Sequence, residues 1–84
     1  MKISAEISLY PLAEFYRPVI QGFLDRLQRH TDLKVHVNTM STQIFGDYRR
    51  VMQVVTDELE HVYREVPSQV LVCKFINRDL SPDE

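Results

Sequence analysis

Ser4, Glu6 and Ser8 stand at alternate positions in "KISAEISLY" near the start of the chain. A second group of hydroxyl and amide side chains fills "NTMSTQIFGDY", residues 38–48, which is polar and uncharged up to Gln43. Neither stretch pairs a nucleophile with a base. Serine and threonine hydroxyls donate and accept hydrogen bonds, whereas an ionised glutamate only accepts. Such groups hold a polar ligand, and tyrosine or phenylalanine rings nearby can stack on it. The chemistry suited to this mixture is the binding of a small heteroaromatic molecule. Lys74 belongs with Glu6 on either of two readings. The two form a cross-strand ion pair, or they recognise a polar ligand in a cleft between subunits, since buried polar groups need partners.

Signatures of catalysis are missing, and no enzyme activity or cofactor is expected. The two glycines, Gly22 and Gly46, stand alone and make no phosphate loop. His30, His36 and His61 fall on different elements without metal-ligand spacing. Cys73 lies in an apolar run and reads as a small core residue, not a reactive thiol. An acylphosphatase-type enzyme would want an arginine in a glycine-rich cradle near the first strand, and "LYPLAEFYR" has no such cradle. Tyr10 and Phe45 could face a nucleic acid, but Glu6 and a net charge of -2 oppose that partner.

With 84 residues and a hydrophobic fraction of 44%, the chain can build one small domain, 1–84, ending in a polar tail over 77–84. So small a core leaves a thin stability margin, which domains of this size often widen by oligomerising. A lone cysteine fits a reducing compartment. "MKISAEISLYPL" contains a glutamate and alternates in polarity, unlike a signal peptide or membrane span, so no membrane association and a cytoplasmic location are expected.

The elements that must position these groups follow from periodicity. In residues 2–10, Ile3, Ala5, Ile7 and Leu9 alternate with polar residues, as in a strand with one buried face. Over 12–29 the apolar residues recur at helical spacing, placing Phe15 and Phe23 in the core; the helix starts close to Pro18 or is kinked there. "LKVHVN", 33–38, alternates again. The chain then turns near Asn38–Ser41 and continues as a third strand over 43–45, which Gly46 breaks. Asp47 caps a second helix running to about residue 65. Residues 69–76, "QVLVCKFI", make a fourth strand. The order is strand, helix, strand, strand, helix, strand. It predicts an α+β, ferredoxin-like split β-α-β sandwich: four antiparallel strands with both helices on one face.

The other sheet face would then carry Ser4, Glu6, Ser8 and Tyr10 from the first strand. Lys34, His36 and Asn38 would join from the second, and Val70, Val72, Lys74 and Ile76 from the fourth. Leu71, Cys73 and Phe75 would face the helices. A face so mixed marks a partner or ligand. The expected partner is the chain itself, as a homodimer or homotetramer packed through this open sheet face.

"MKISAEISLYPL", "MSTQIFGDY" before a helix, and "VLVCKFINRDLSP" together resemble the YkoF-like thiamine-binding family, long described only as a domain of unknown function. The resemblance spans roughly residues 1–82. It implies a ferredoxin-like subunit that forms dimers or tetramers and is not catalytic. Some members bind thiamine or its hydroxymethylpyrimidine half and serve uptake or salvage of the vitamin. By position, the resemblance points to Ser4, Glu6 and Ser8, with Met40, Ser41 and Thr42. Gly46 and Asp47 match as well, read as backbone break and helix cap. Lys74 joins the candidate ligand-binding residues as the partner of Glu6. The alternative is an oligomeric protein-interaction module with no physiological small ligand.

Overall fold

In the computed structural model, which describes residues 1–82, the alternating first segment forms β1 (Lys2–Pro11). It buries Ile3, Ala5, Ile7 and Leu9 on one side, as period two requires. There follow α1 (Tyr16–Gln28), β2 (Lys34–Val37), β3 (Thr42–Asp47), α2 (Tyr48–Tyr63) and β4 (Gln69–Ile76). The four strands make one antiparallel sheet in the order β2-β3-β1-β4. The helices pack on each other and on the β1 face that holds the core, where Phe23, Leu27, Val51, Val54 and Val62 are fully buried. This is the ferredoxin-like α+β sandwich that the periodicity predicts.

Two boundaries depart from expectation. Phe15 is not core: it is 80% exposed, because α1 begins one residue later and Phe15 serves as its N-cap without any side-chain cap bond. Pro18 sits in the first turn, where a backbone N–H has no intrahelical partner to lose. Gly46 does not break β3, which runs through it to Asp47 and pairs Gly46 with Ile3. A Cβ at Gly46 would run into the buried Leu33 Cδ2, so glycine is there to let Leu33 pack against the strand. Asp47 then caps α2 as expected, accepting from the Arg50 backbone N–H at 3.4 Å.

β4 keeps its expected phase: Val70, Val72, Lys74 and Ile76 lie opposite Tyr10, Ser8, Glu6 and Ser4. Its other side is less covered than expected. Cys73 is exposed, and Phe75 is 45% exposed. The cause is the lie of α2, which packs chiefly over β3 and β1 and leaves the strand beyond them open. Cys73 is therefore an edge residue, not a core one.

The tail folds back over the open sheet face. Ser4 Oγ donates to the Arg78 carbonyl at 2.7 Å and accepts from the Leu80 N–H at 2.8 Å. Leu80 comes to lie beside Phe45, which points to the same face as Ser4 yet is only 6% exposed. The end of the expected tail, residues 83–84, lies outside the described residues.

Candidate functional site

The two polar stretches meet where the sheet is notched. Pairing between β1 and β3 ends at Ile7 opposite Thr42, while β1 runs on to Pro11 paired with β4 alone. The 38–41 turn, closed by Asn38 N–H donating to Ser41 O at 2.9 Å, projects beside this unpaired length. Ser8 Oγ donates to the Met40 carbonyl at 3.2 Å and ties the turn to β1. Between them opens a groove of about 590 Å³, within the usual size of small-ligand sites. Its floor is apolar, from Leu9, Ile20, Phe23 and Leu24; Ser8, Met40, Ser41 and Thr42 supply polar groups and rim.

Thr42 is the informative member. Ile7, its partner on β1, is core, so the Thr42 side chain points beneath the sheet toward α1. The residue is 5% exposed as a whole; its side chain makes no hydrogen bond within the chain among the described residues, and it borders the groove. A hydroxyl that opens on a groove and is not engaged by the chain can donate to and accept from a ligand or water there.

Glu6, Lys74 and Ser4 lie apart, on the open face, around a depression of about 310 Å³. Glu6 Oε1 is 3.6 Å from Lys74 Nζ, and its Oε2 accepts from Ser41 Oγ at 3.0 Å. The expected cross-strand ion pair is present. The Ser41 bond also joins this depression to the groove. Ser4 is spoken for, since its hydroxyl both donates and accepts within the chain. Met40 is the most exposed of the set and hangs at the groove mouth beside Leu12.

Among the described residues, those lining the groove and the depression include neither a histidine nor a cysteine. Cys73 does not line the groove, and partial burial pushes its thiol pKa up from the ordinary value, away from thiolate character. No group of three or more metal-ligating side chains gathers among the described residues. Among those residues no helix is long and apolar enough to cross a membrane. His36 stacks edge-on against Phe45 with ring centroids 5.8 Å apart.

Sequence reading missed the part played by α1. Tyr16, Ile20 and Leu24 line the groove from below. As members of an ordinary apolar stripe they carry no signal that marks them as lining rather than core.

No family model matches the chain, and no curated relative matches it. Solved structures do. A Streptococcus pneumoniae protein superposes with a TM-score of 0.87 at 21% identity, covering 95% of this chain and 90% of its own. A Thermotoga maritima protein, provisionally named a thiamine biosynthesis/salvage protein, has a TM-score of 0.82 at 19% identity, covering 93% and 85%. A hypothetical protein of Methanocaldococcus jannaschii has a TM-score of 0.81 at 24% identity, covering 99% and 87%. At these identities the likeness is one of fold.

Proposed function

We propose that the protein is a non-catalytic binding protein for thiamine or its hydroxymethylpyrimidine half, acting as an oligomer in uptake or salvage of the vitamin. The observation that carries this reading is a groove with an apolar floor and the Thr42 and Ser41 hydroxyls on its polar side, Thr42 making no side-chain hydrogen bond within the chain among the described residues. An aminopyrimidine has a flat apolar face for Leu9, Ile20 and Leu24, and ring nitrogens that a threonine hydroxyl can satisfy. Ser41 and Glu6 extend the polar side, with Ser8 holding the turn in place. The name given to the Thermotoga neighbour agrees with this class of ligand.

Electrostatics refines the choice between the two ligands. Glu6 is already balanced by Lys74, so the pair brings no net charge to a bound molecule. The neutral pyrimidine half fits that balance better than the cationic thiazolium does.

Calorimetry with thiamine and with hydroxymethylpyrimidine is the test. Binding should be measurable, and Thr42→Val should weaken it about two- to tenfold, the worth of one hydrogen bond. No heat and no melting shift at millimolar concentrations of either compound would sink the reading. An alternative, an oligomeric interaction module without a small ligand, draws on the half-exposed Val70, Val72 and Ile76. It predicts a stable oligomer that ignores both compounds.

A further inference from the structure

We infer that β4 is a pairing edge for a second copy of this chain, joined antiparallel about Cys73 so that two four-stranded sheets continue as one. The contact differs from packing through the open sheet face and does not depend on the ligand reading.

The sheet has two edges, and only one of them is guarded. β2 is four residues long and carries Lys34 and His36. Short, charged strands are how natural sheets discourage pairing. β4 is eight residues, "QVLVCKFI", with neither proline nor glycine. Extended, it offers about 27 Å of backbone. Apolar side chains stand half in water on both of its flanks: Val70, Val72 and Ile76 on the open side, Phe75 with Cys73 on the helix side. Its one charge, Lys74, is engaged by Glu6 of the neighbouring β1 and so is drawn inward, away from the outer edge.

The strand is complementary to itself. A two-fold axis perpendicular to the sheet brings together only residues of the same face, because side chains alternate. With the axis at Cys73, Val70 lies opposite Ile76 of the second copy and Leu71 opposite Phe75, each twice by symmetry. Lys74 then lies opposite Val72 and never opposite itself. An axis at Lys74 would set like charges face to face, which is unfavourable. An axis at Val72 would set Phe75 against Gln69. The Cys73 centre alone, of these three, matches apolar side chains on both flanks without opposing two lysines. It also places the two Cys73 residues directly opposite, within reach of a disulfide.

Sedimentation of the whole chain under reducing conditions, over a range of concentrations, gives the first readout. A dimer or larger species is expected. Phe75→Lys, at a site already open to water, should weaken association at least tenfold while leaving the circular dichroism spectrum unchanged. The second readout fixes the register. In a Cys73→Ser background, chains carrying Leu71→Cys and chains carrying Phe75→Cys are oxidised with diamide, separately and mixed. A covalent dimer should form in the mixture and not in either chain alone, and the native Cys73 should cross-link by itself. A monomer at every concentration overturns the proposal. So does an oligomer that yields neither cross-link, although that result would leave association through the open sheet face, and the ligand reading, standing.

Discussion

The seam between the two helices and the groove under the hairpin treat polar groups in opposite ways. In the seam, Arg26 Nε donates to Glu58 Oε1 at 3.1 Å and its Nη1 lies 3.5 Å from Glu65. Glu58 Oε2 meets His30 Nε2 at 2.8 Å. Arg50 reaches His30 Nδ1 at 3.3 Å and Asp32 at 2.6 Å. With Arg50 donating to Nδ1, a neutral His30 carries its proton on Nε2, facing Glu58. One nitrogen, Arg26 Nη2, is left over. In the groove the Thr42 hydroxyl makes no side-chain hydrogen bond within the chain among the described residues and opens on the cavity, and exposed Leu12 and Met40 also line it. Polar groups in the seam hold the fold together; those in the groove are held in reserve. Perturbing the first should cost stability and leave ligand binding alone. Perturbing the second should do the reverse.

Glu58→Ala is the strongest way to test that division. Arg26 and Glu58 are only 16% and 14% exposed, so removing the carboxylate leaves a mostly buried guanidinium with Glu65, 3.5 Å from its Nη1, as its remaining ion-pair partner, and takes away the acceptor facing His30. A loss of about 3 kcal/mol in urea unfolding is expected, with affinity for hydroxymethylpyrimidine unchanged. If affinity fell in step with stability, seam and groove would not be separate. Lys74→Met acts on the other side of the comparison. It frees Glu6, and should raise the affinity for thiamine relative to hydroxymethylpyrimidine about two- to fivefold, with stability nearly untouched. Calorimetry on both ligands reads this ratio, and an unchanged ratio would remove Glu6 from the site.

The smallest effect is the acid sensitivity of the seam's outer end. The Arg50 hydrogen bond holds the Asp32 carboxyl below its usual pKa. A lowered folded-state pKa contributes stability above the unfolded value, and that contribution is lost as pH falls through the folded one. The stability difference between the wild type and Asp32→Asn should therefore shrink as pH drops below about 4. Asp32 is exposed, so the change is slight. A difference constant from pH 6 to pH 2 would show that the Arg50 bond does not survive in solution.

Much of this arrangement was legible in single residues. The alternation of Ile3, Ala5, Ile7 and Leu9 fixes the buried face of β1, and Lys74 alone sets the phase of β4. Asp47 announces the start of α2. What escaped depends on how elements lie against each other. Phe15 keeps helical spacing with Val19 and Phe23, but periodicity does not say that the first turn of α1 begins after it. Cys73 has the right phase for burial, and the tilt of α2 leaves it open. Gly46 looks like a breaker until Leu33, thirteen positions earlier in the chain, is seen to need its space. In the site, the hydroxyls of 41 and 42 stand out as exceeding what a turn requires. Nothing in the sequence marks Ser4 as a tie for the tail, because its partners are backbone atoms of Arg78 and Leu80.

The strand order carries a consequence for how the chain folds as it is made. β1 is synthesised first but lies between β3 and β4, so neither of its neighbours exists when it appears. Its two ladders join segments some forty and seventy residues apart, for instance Ile3 with Gly46 and Ser4 with Ile76. Contacts of such long range slow folding. Until β4 arrives, a nascent chain leaves one edge of β1 unpaired, and this central strand completes its ladders only when residues 69–76 have been made.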